Sequence, residues 1–172
     1  MRPVSSLHPL TPMSSLPWTE ALALQHAQLD QTHQEFVALL NTWGEALLAG
    51  SDTVIPLYLD LLGHTEAHFG MEEGWMAATG FAPENCHSKQ HAMVLDVMRQ
   101  VLVHAQAHHD LEPMRNLLPE LVNWFPAHAE MMDAALVYHM GQVGFDPATG
   151  QCAQPLATET SGISSCGSNS CG

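Results

Sequence analysis

The chain has 172 residues, the size of one ordinary domain, and folding at that length buries roughly two-thirds of the unfolded surface without covalent staples. Four Lys and Arg against 18 Asp and Glu give a formal charge of −14, which excludes a phosphate-tracking nucleic-acid binder and a binder of anionic membranes. Twelve histidines stand out beside so few cations, because histidine is the commonest metal ligand. Four cysteines are too few for a disulfide scaffold, and Cys152, Cys166 and Cys171 all fall near the C-terminus.

Residues 1–17 form an N-terminal extension whose prolines at 3, 9, 12 and 17 break any apolar or amphipathic leader helix. Neither a secretory signal nor a transit peptide is expected. No run of about 18 apolar residues occurs, so no membrane span is expected, and the cytoplasm is the expected compartment. From here apolar residues recur at helical spacing. The first helix is predicted from about Thr19, a suitable N-cap, to Ala49, where Gly50-Ser51 stops it. The second runs from about Asp52 to Ala78, with Pro56 in its first turn and Thr79-Gly80 after it. The third runs from about Pro83 to His109. The fourth runs from about Glu112 to Met140; Pro113 and Pro119 suit an opening turn, whereas Pro126 is deep enough to bend it. No strand pattern is found. Long helices joined by short connections predict an all-α fold, an antiparallel up-down-up-down four-helix bundle over 18–144. The Ser/Gly/Cys-containing segment 145–172 lacks periodicity and is expected to be a disordered C-terminal tail.

An α-helix turns about 100° per residue, so residues i and i+4 share a face. His68 and Glu72 have that spacing on the second helix, and His87 and His91 on the third. His33 lies mid-way along the first helix and His128 along the fourth, both flanked by apolar residues. In an antiparallel bundle these layers meet at one depth. Buried imidazoles and carboxylates are costly unless something pairs them, and a metal does so. Donors of this kind without cysteine suit non-haem iron or manganese, and with Asp133 on the fourth helix they number seven, more than the six that one octahedral ion needs. A dinuclear centre is the better count. Relative to His68, Glu72 lies at about 40° and Glu73 at about 140°, so Glu72 faces the site. Asp133 lies about 140° from His128 in a regular helix, and geometry alone does not select it. A π-type widening beyond Pro126 would bring it in.

The run His33 … His68-Phe69-x-x-Glu72-Glu73 … His87-x3-His91 … Trp124-x3-His128-x4-Asp133 resembles the hemerythrin family, specifically its single-domain bacterial members. The likeness extends from about Leu16 to Gly144, with Trp18 ahead of the first helix and Phe81-Ala82-Pro83 before the third. It departs around Gln25-His26, where the family usually has a glycine, and at Asp30-Gln31-Thr32-His33, where many members read Asp-x-Gln-His. The resemblance implies two non-haem irons (Fe2+/Fe3+) bridged by two carboxylates and an oxo or hydroxo group, binding dioxygen reversibly rather than catalysing a reaction. By position, it assigns His87, His91 and His128 to one iron and His33 and His68 to the other. Glu72 and Asp133 are the bridges it implies, and the iron with fewer histidines keeps a position for dioxygen.

The other histidines are expected outside the ligand set. His64 lies one turn (about 5.4 Å) before His68 and His26 two turns before His33, beside the site or at a bundle end. His104, His108 and His109 suit a solvated helix C-terminus. Cys86, directed about 100° away from His87, is expected to be inert, and Cys166-x4-Cys171 to belong to the unstructured tail. A ferritin-type di-iron oxidase or ferroxidase is the main rival. Such sites carry Glu-x-x-His on two helices, and only Glu84-x-x-His87 matches here. An iron- or nitric-oxide-handling or redox-signalling module with the same site is the other rival.

Overall fold

The computed structural model describes residues 15–81 and 85–153; the expectations for 1–14, for Glu84 and for the tail beyond 153 lie outside the described residues. Four long helices form the bundle: α1 (Ala27–Ala49), α2 (Val54–Thr79), α3 (Cys86–His108) and a fourth made of α4 (Glu112–His128), a π-helical turn (Ala129–Asp133) and α5 (Ala134–Val143). Helix α1 packs on α2 and α4, and α3 packs on α2 and α4, which closes the four into a ring. No helix among the described residues is long and apolar enough to cross a membrane.

The beginning of α1 differs from the sequence expectation. Only a 3-10 turn forms over Glu20–Leu22, and the α-helix starts at Ala27 with His26, not Thr19, as its N-cap. The His26 Nδ1 atom accepts the Leu29 N–H at 3.2 Å, while the Asp30 carboxylate accepts the N–H groups of Leu24 (2.7 Å) and His26 (3.1 Å). Gln25 is turned to φ 57°, a left-handed conformation that cannot continue a helix and that favours glycine. The segment before it is tied down at Asn41, whose side chain accepts from the Leu16 N–H and donates to the Leu16 carbonyl, both at 2.8 Å.

The end of the bundle differs as well. Gly144 (φ 61°) closes α5 in the left-handed conformation, and a Cβ there would come within 2.8 Å of the Ala153 Cβ, so both backbone and space call for glycine. A small antiparallel hairpin follows, with β1 (Phe145–Asp146) paired to β2 (Gln151–Cys152). The sequence expectation of a tail starting at 145 therefore needs correction: Asp146 accepts from the Ala148 N–H and the Thr149 hydroxyl, which builds the turn locally. Cys86, expected to be inert, is disulfide-bonded, whereas Cys152 is a free thiol.

Two apolar clusters fill the bundle along its length. The larger includes Phe36, Leu40, Trp43, Tyr58, Phe69, Val94, Met98 and Phe125; the smaller holds Leu29, Trp75, Met76, Phe81, Leu136 and Met140. Along α1 the order is Leu29, His33, Phe36, and along α2 it is Phe69, Glu72, Trp75, so a buried polar layer separates the two clusters. In the larger cluster the buried Tyr58 hydroxyl donates to the Met98 carbonyl at 2.9 Å, and burial pushes its pKa up, so it stays a donor. Tyr58→Phe is expected to lower stability by about 1 kcal/mol in denaturant unfolding, since one neutral hydrogen bond is lost and little volume changes.

Candidate metal centre

Five imidazoles and two carboxylates converge in that polar layer. His33, His68, Glu72, His87, His91, His128 and Asp133 are all buried, and they come from all four helices. Their ligating atoms form two overlapping groups, each within 4.8 Å: Glu72, His87, His91, His128 and Asp133 in one, His33, His68, Glu72 and Asp133 in the other. Both carboxylates belong to both groups.

Each of them divides its oxygens between the two sides. Glu72 Oε1 lies 3.0 Å from His68 Nε2, while Oε2 lies 3.0 Å from His87 Nε2 and 3.3 Å from His91 Nε2. Asp133 Oδ2 lies 3.1 Å from His33 Nε2, while Oδ1 lies 2.9 Å from His87 Nε2 and 3.1 Å from His128 Nε2. All five rings present Nε2 inward. The pair His91 Nε2 and His128 Nε2 are 3.2 Å apart.

Asp133 reaches this point through its backbone. The turn over Ala129–Asp133 is π-helical, and the Ala134 N–H donates to the Ala129 carbonyl, five residues back. With i→i+5 bonding, a residue five positions on stands nearly above the first. The extra residue in this turn brings Asp133 over His128, where a regular helix would turn it about 140° away. Pro126 does not end α4, which runs on to His128.

The electrostatics follow from enclosure. Burial and the charge of Asp133 both push the Glu72 carboxyl up, but close contacts with the His68, His87 and His91 rings outweigh them and hold it below the usual range. Burial also pushes Asp133 up, and contacts from His128, His33 and His87 hold it well down. At His87 burial favours the neutral ring, yet Asp133 and Glu72 win and its pKa is pushed up to about 9. At His91 burial prevails and the pKa falls. Carboxylates kept ionised in a dry core demand a cation. Several buried donors also lack a hydrogen bond, namely Glu72 Oε2, both Asp133 oxygens and the Nε2 atoms of His33 and His87. Hard carboxylate oxygens with imidazole nitrogens and no thiolate suit iron or manganese.

Residues expected outside the set are outside it. Glu73 is 49% exposed at its side chain and approaches only the outer face of His91, with Oε1 3.6 Å from Nδ1. His64 pairs with Glu35 at 3.3 Å and its ring stands 6.3 Å from that of His68. His104 bonds Asp110 at 2.9 Å near the end of α3, and His109 caps that helix. Phe69 and Trp124, both in the sequence motif, pack on the ligands, and Gln90 joins them although the sequence did not single it out. Phe69 stacks on His91 at 3.8 Å, Trp124 stacks on His128 at 4.4 Å, and Gln90 reaches His128 from α3. The signal for Gln90 was its place three residues after His87, about 60° around the same side of the helix. His139, to which no role was given, donates to the Thr79 carbonyl at 3.0 Å and so helps close the end of α2.

Fold and cluster together define a four-helix-bundle protein with a histidine and carboxylate cage able to hold metal. Residues 25–138 match the family model of the hemerythrin HHE cation binding domain. The chain is also 36% identical, over 134 residues, to bacteriohemerythrin of Ralstonia nicotianae, an alignment covering 78% of this chain and 95% of that protein. No solved structure matches at a significant level. The chain belongs to the hemerythrin family, whose members bind non-haem iron.

Glu72→Ala is expected to lose bound iron on desalting, because it removes one of the two carboxylates shared by both groups. Glu73→Ala should keep its iron, with affinity lowered about tenfold at most through its contact with the back of His91. Iron analysis of the two purified variants checks this, and equal loss in both would place the wrong carboxylate in the centre.

Proposed function

We propose that the chain binds dioxygen reversibly at a di-iron centre, with His87, His91 and His128 holding one iron and His33 and His68 the other. Glu72 and Asp133 serve as the bridges. The observation that carries this reading is the division of each carboxylate's two oxygens between a three-histidine and a two-histidine group. The unequal histidine count leaves the His33 and His68 side one protein donor short, and a small ligand would take that position. Bound iron supplies the reversible exchange of electrons with dioxygen.

The protein's part is to hold and to shield. Phe36 and Phe125 are buried at the two-histidine side, with the Phe125 ring edge-on to His33 at 5.1 Å and stacked on Phe36 at 4.6 Å. This apolar wall keeps water and anions from competing and favours an uncharged diatomic ligand. The two ionised carboxylates offset the charge of the cations. The name of the Ralstonia nicotianae relative, bacteriohemerythrin, supports the same reading.

Iron-loaded protein, reduced under nitrogen and exposed to oxygen, is expected to give a visible absorption change that reverses on deoxygenation over repeated cycles. Oxidation in a single pass, with no recovery when oxygen is removed, would contradict binding and favour an oxidase.

A further inference from the structure

One side chain outside the ligand set fixes the chemical form of a ligand. Gln90 lies on α3 between His87 and His91, half-buried, and its amide oxygen is 3.0 Å from His128 Nδ1 and 3.2 Å from Trp124 Nε1 on α4. An indole N–H only donates, so the Gln90 atom facing Trp124 must be the oxygen and not the amide nitrogen. That settles the orientation of the amide. The same oxygen faces His128 Nδ1, and an amide oxygen only accepts, so Nδ1 must carry a proton. In the neutral ring the lone pair is then left on Nε2, the atom that faces Asp133 and His91.

We propose that Gln90, held by Trp124, is a positioning residue that keeps His128 in the Nδ1–H form with Nε2 free to bind metal. Trp124 acts twice in this arrangement. It sits one turn before His128 on α4, where its ring stacks on the imidazole at 4.4 Å and 29°, and its N–H orients the amide that fixes the tautomer. His128 differs here from its companions. The Nδ1 atoms of His33, His68, His87 and His91 have no hydrogen-bond partner among the described residues. Gln90 thus sets the tautomer of a site histidine from outside the ligand set, and it does so across the α3–α4 interface.

The proposal assumes with the proposed function that His128 Nε2 binds metal, but the tautomer can be read independently of dioxygen. The test uses full-length protein with 15N-labelled histidine, metal-free and loaded with zinc(II) as a diamagnetic probe, in wild type, Gln90→Met and Gln90→Glu. In wild type, His128 Nδ1 is expected to carry a slowly exchanging proton in both states. Gln90→Met keeps the length of the side chain and removes the acceptor; the slow exchange should vanish and zinc affinity should fall about 10–100-fold. Gln90→Glu restores an acceptor and should recover the protected proton and most of the affinity. A proton-free Nδ1 in wild type, or a Gln90→Met variant with wild-type affinity and exchange, would overturn the proposal. Protein that holds zinc with this signature but gives no reversible oxygen spectrum with iron would instead overturn the proposed function and leave the role of Gln90 standing.

Discussion

Two carboxylates, Glu72 and Asp133, are buried side by side at 0% exposure in the middle of an apolar bundle, and the rest of the structure answers to that constraint. Removing an ionised carboxylate from water costs several kcal/mol even after the protein relaxes, and two at close range repel each other besides. Five imidazoles compensate them here, from four helices and at one depth. The helices must therefore keep register along the bundle, since a slip by one residue on any of them would turn its donor about 100° from the site. The two apolar clusters on either side of the polar layer supply the packing that holds that register.

Regular helix geometry made most of this legible in the sequence. His68 with Glu72 and His87 with His91 repeat at i,i+4, a spacing that aims both members of a pair at the same partner, and the same arithmetic separates Glu72 from Glu73. The four-helix organisation followed from apolar periodicity and from breakers such as Gly50 and Gly80, both of which adopt left-handed caps. Asp133 was legible only as a resemblance, because its position depends on a π-turn and angular reasoning on a regular helix puts it on the wrong face.

The parts that escaped the sequence share a physical cause: they depend on local hydrogen bonds that periodicity does not encode. Thr19 is a better intrinsic N-cap than His26, yet the Asp30 carboxylate gathers the N–H groups before α1 and moves its start by about two turns. Phe145 and Cys152 carry no strand pattern, and the turn at Asp146 pairs them. Gln90 reads as a surface polar residue until α4 brings a donor-only indole against it. Each is a case of one side chain deciding backbone or ring chemistry through a specific hydrogen bond.

The central claim is that these seven side chains enclose two metal ions and not one, with Glu72 and Asp133 common to both. Anomalous diffraction at the iron edge from crystals of the iron-loaded protein tests it most directly. The account predicts two peaks, one among His87, His91, His128 and the Glu72 Oε2 and Asp133 Oδ1 atoms, the other among His33, His68 and the opposite oxygens. A single peak centred among the seven, or two peaks with either carboxylate turned away from one of them, would contradict it.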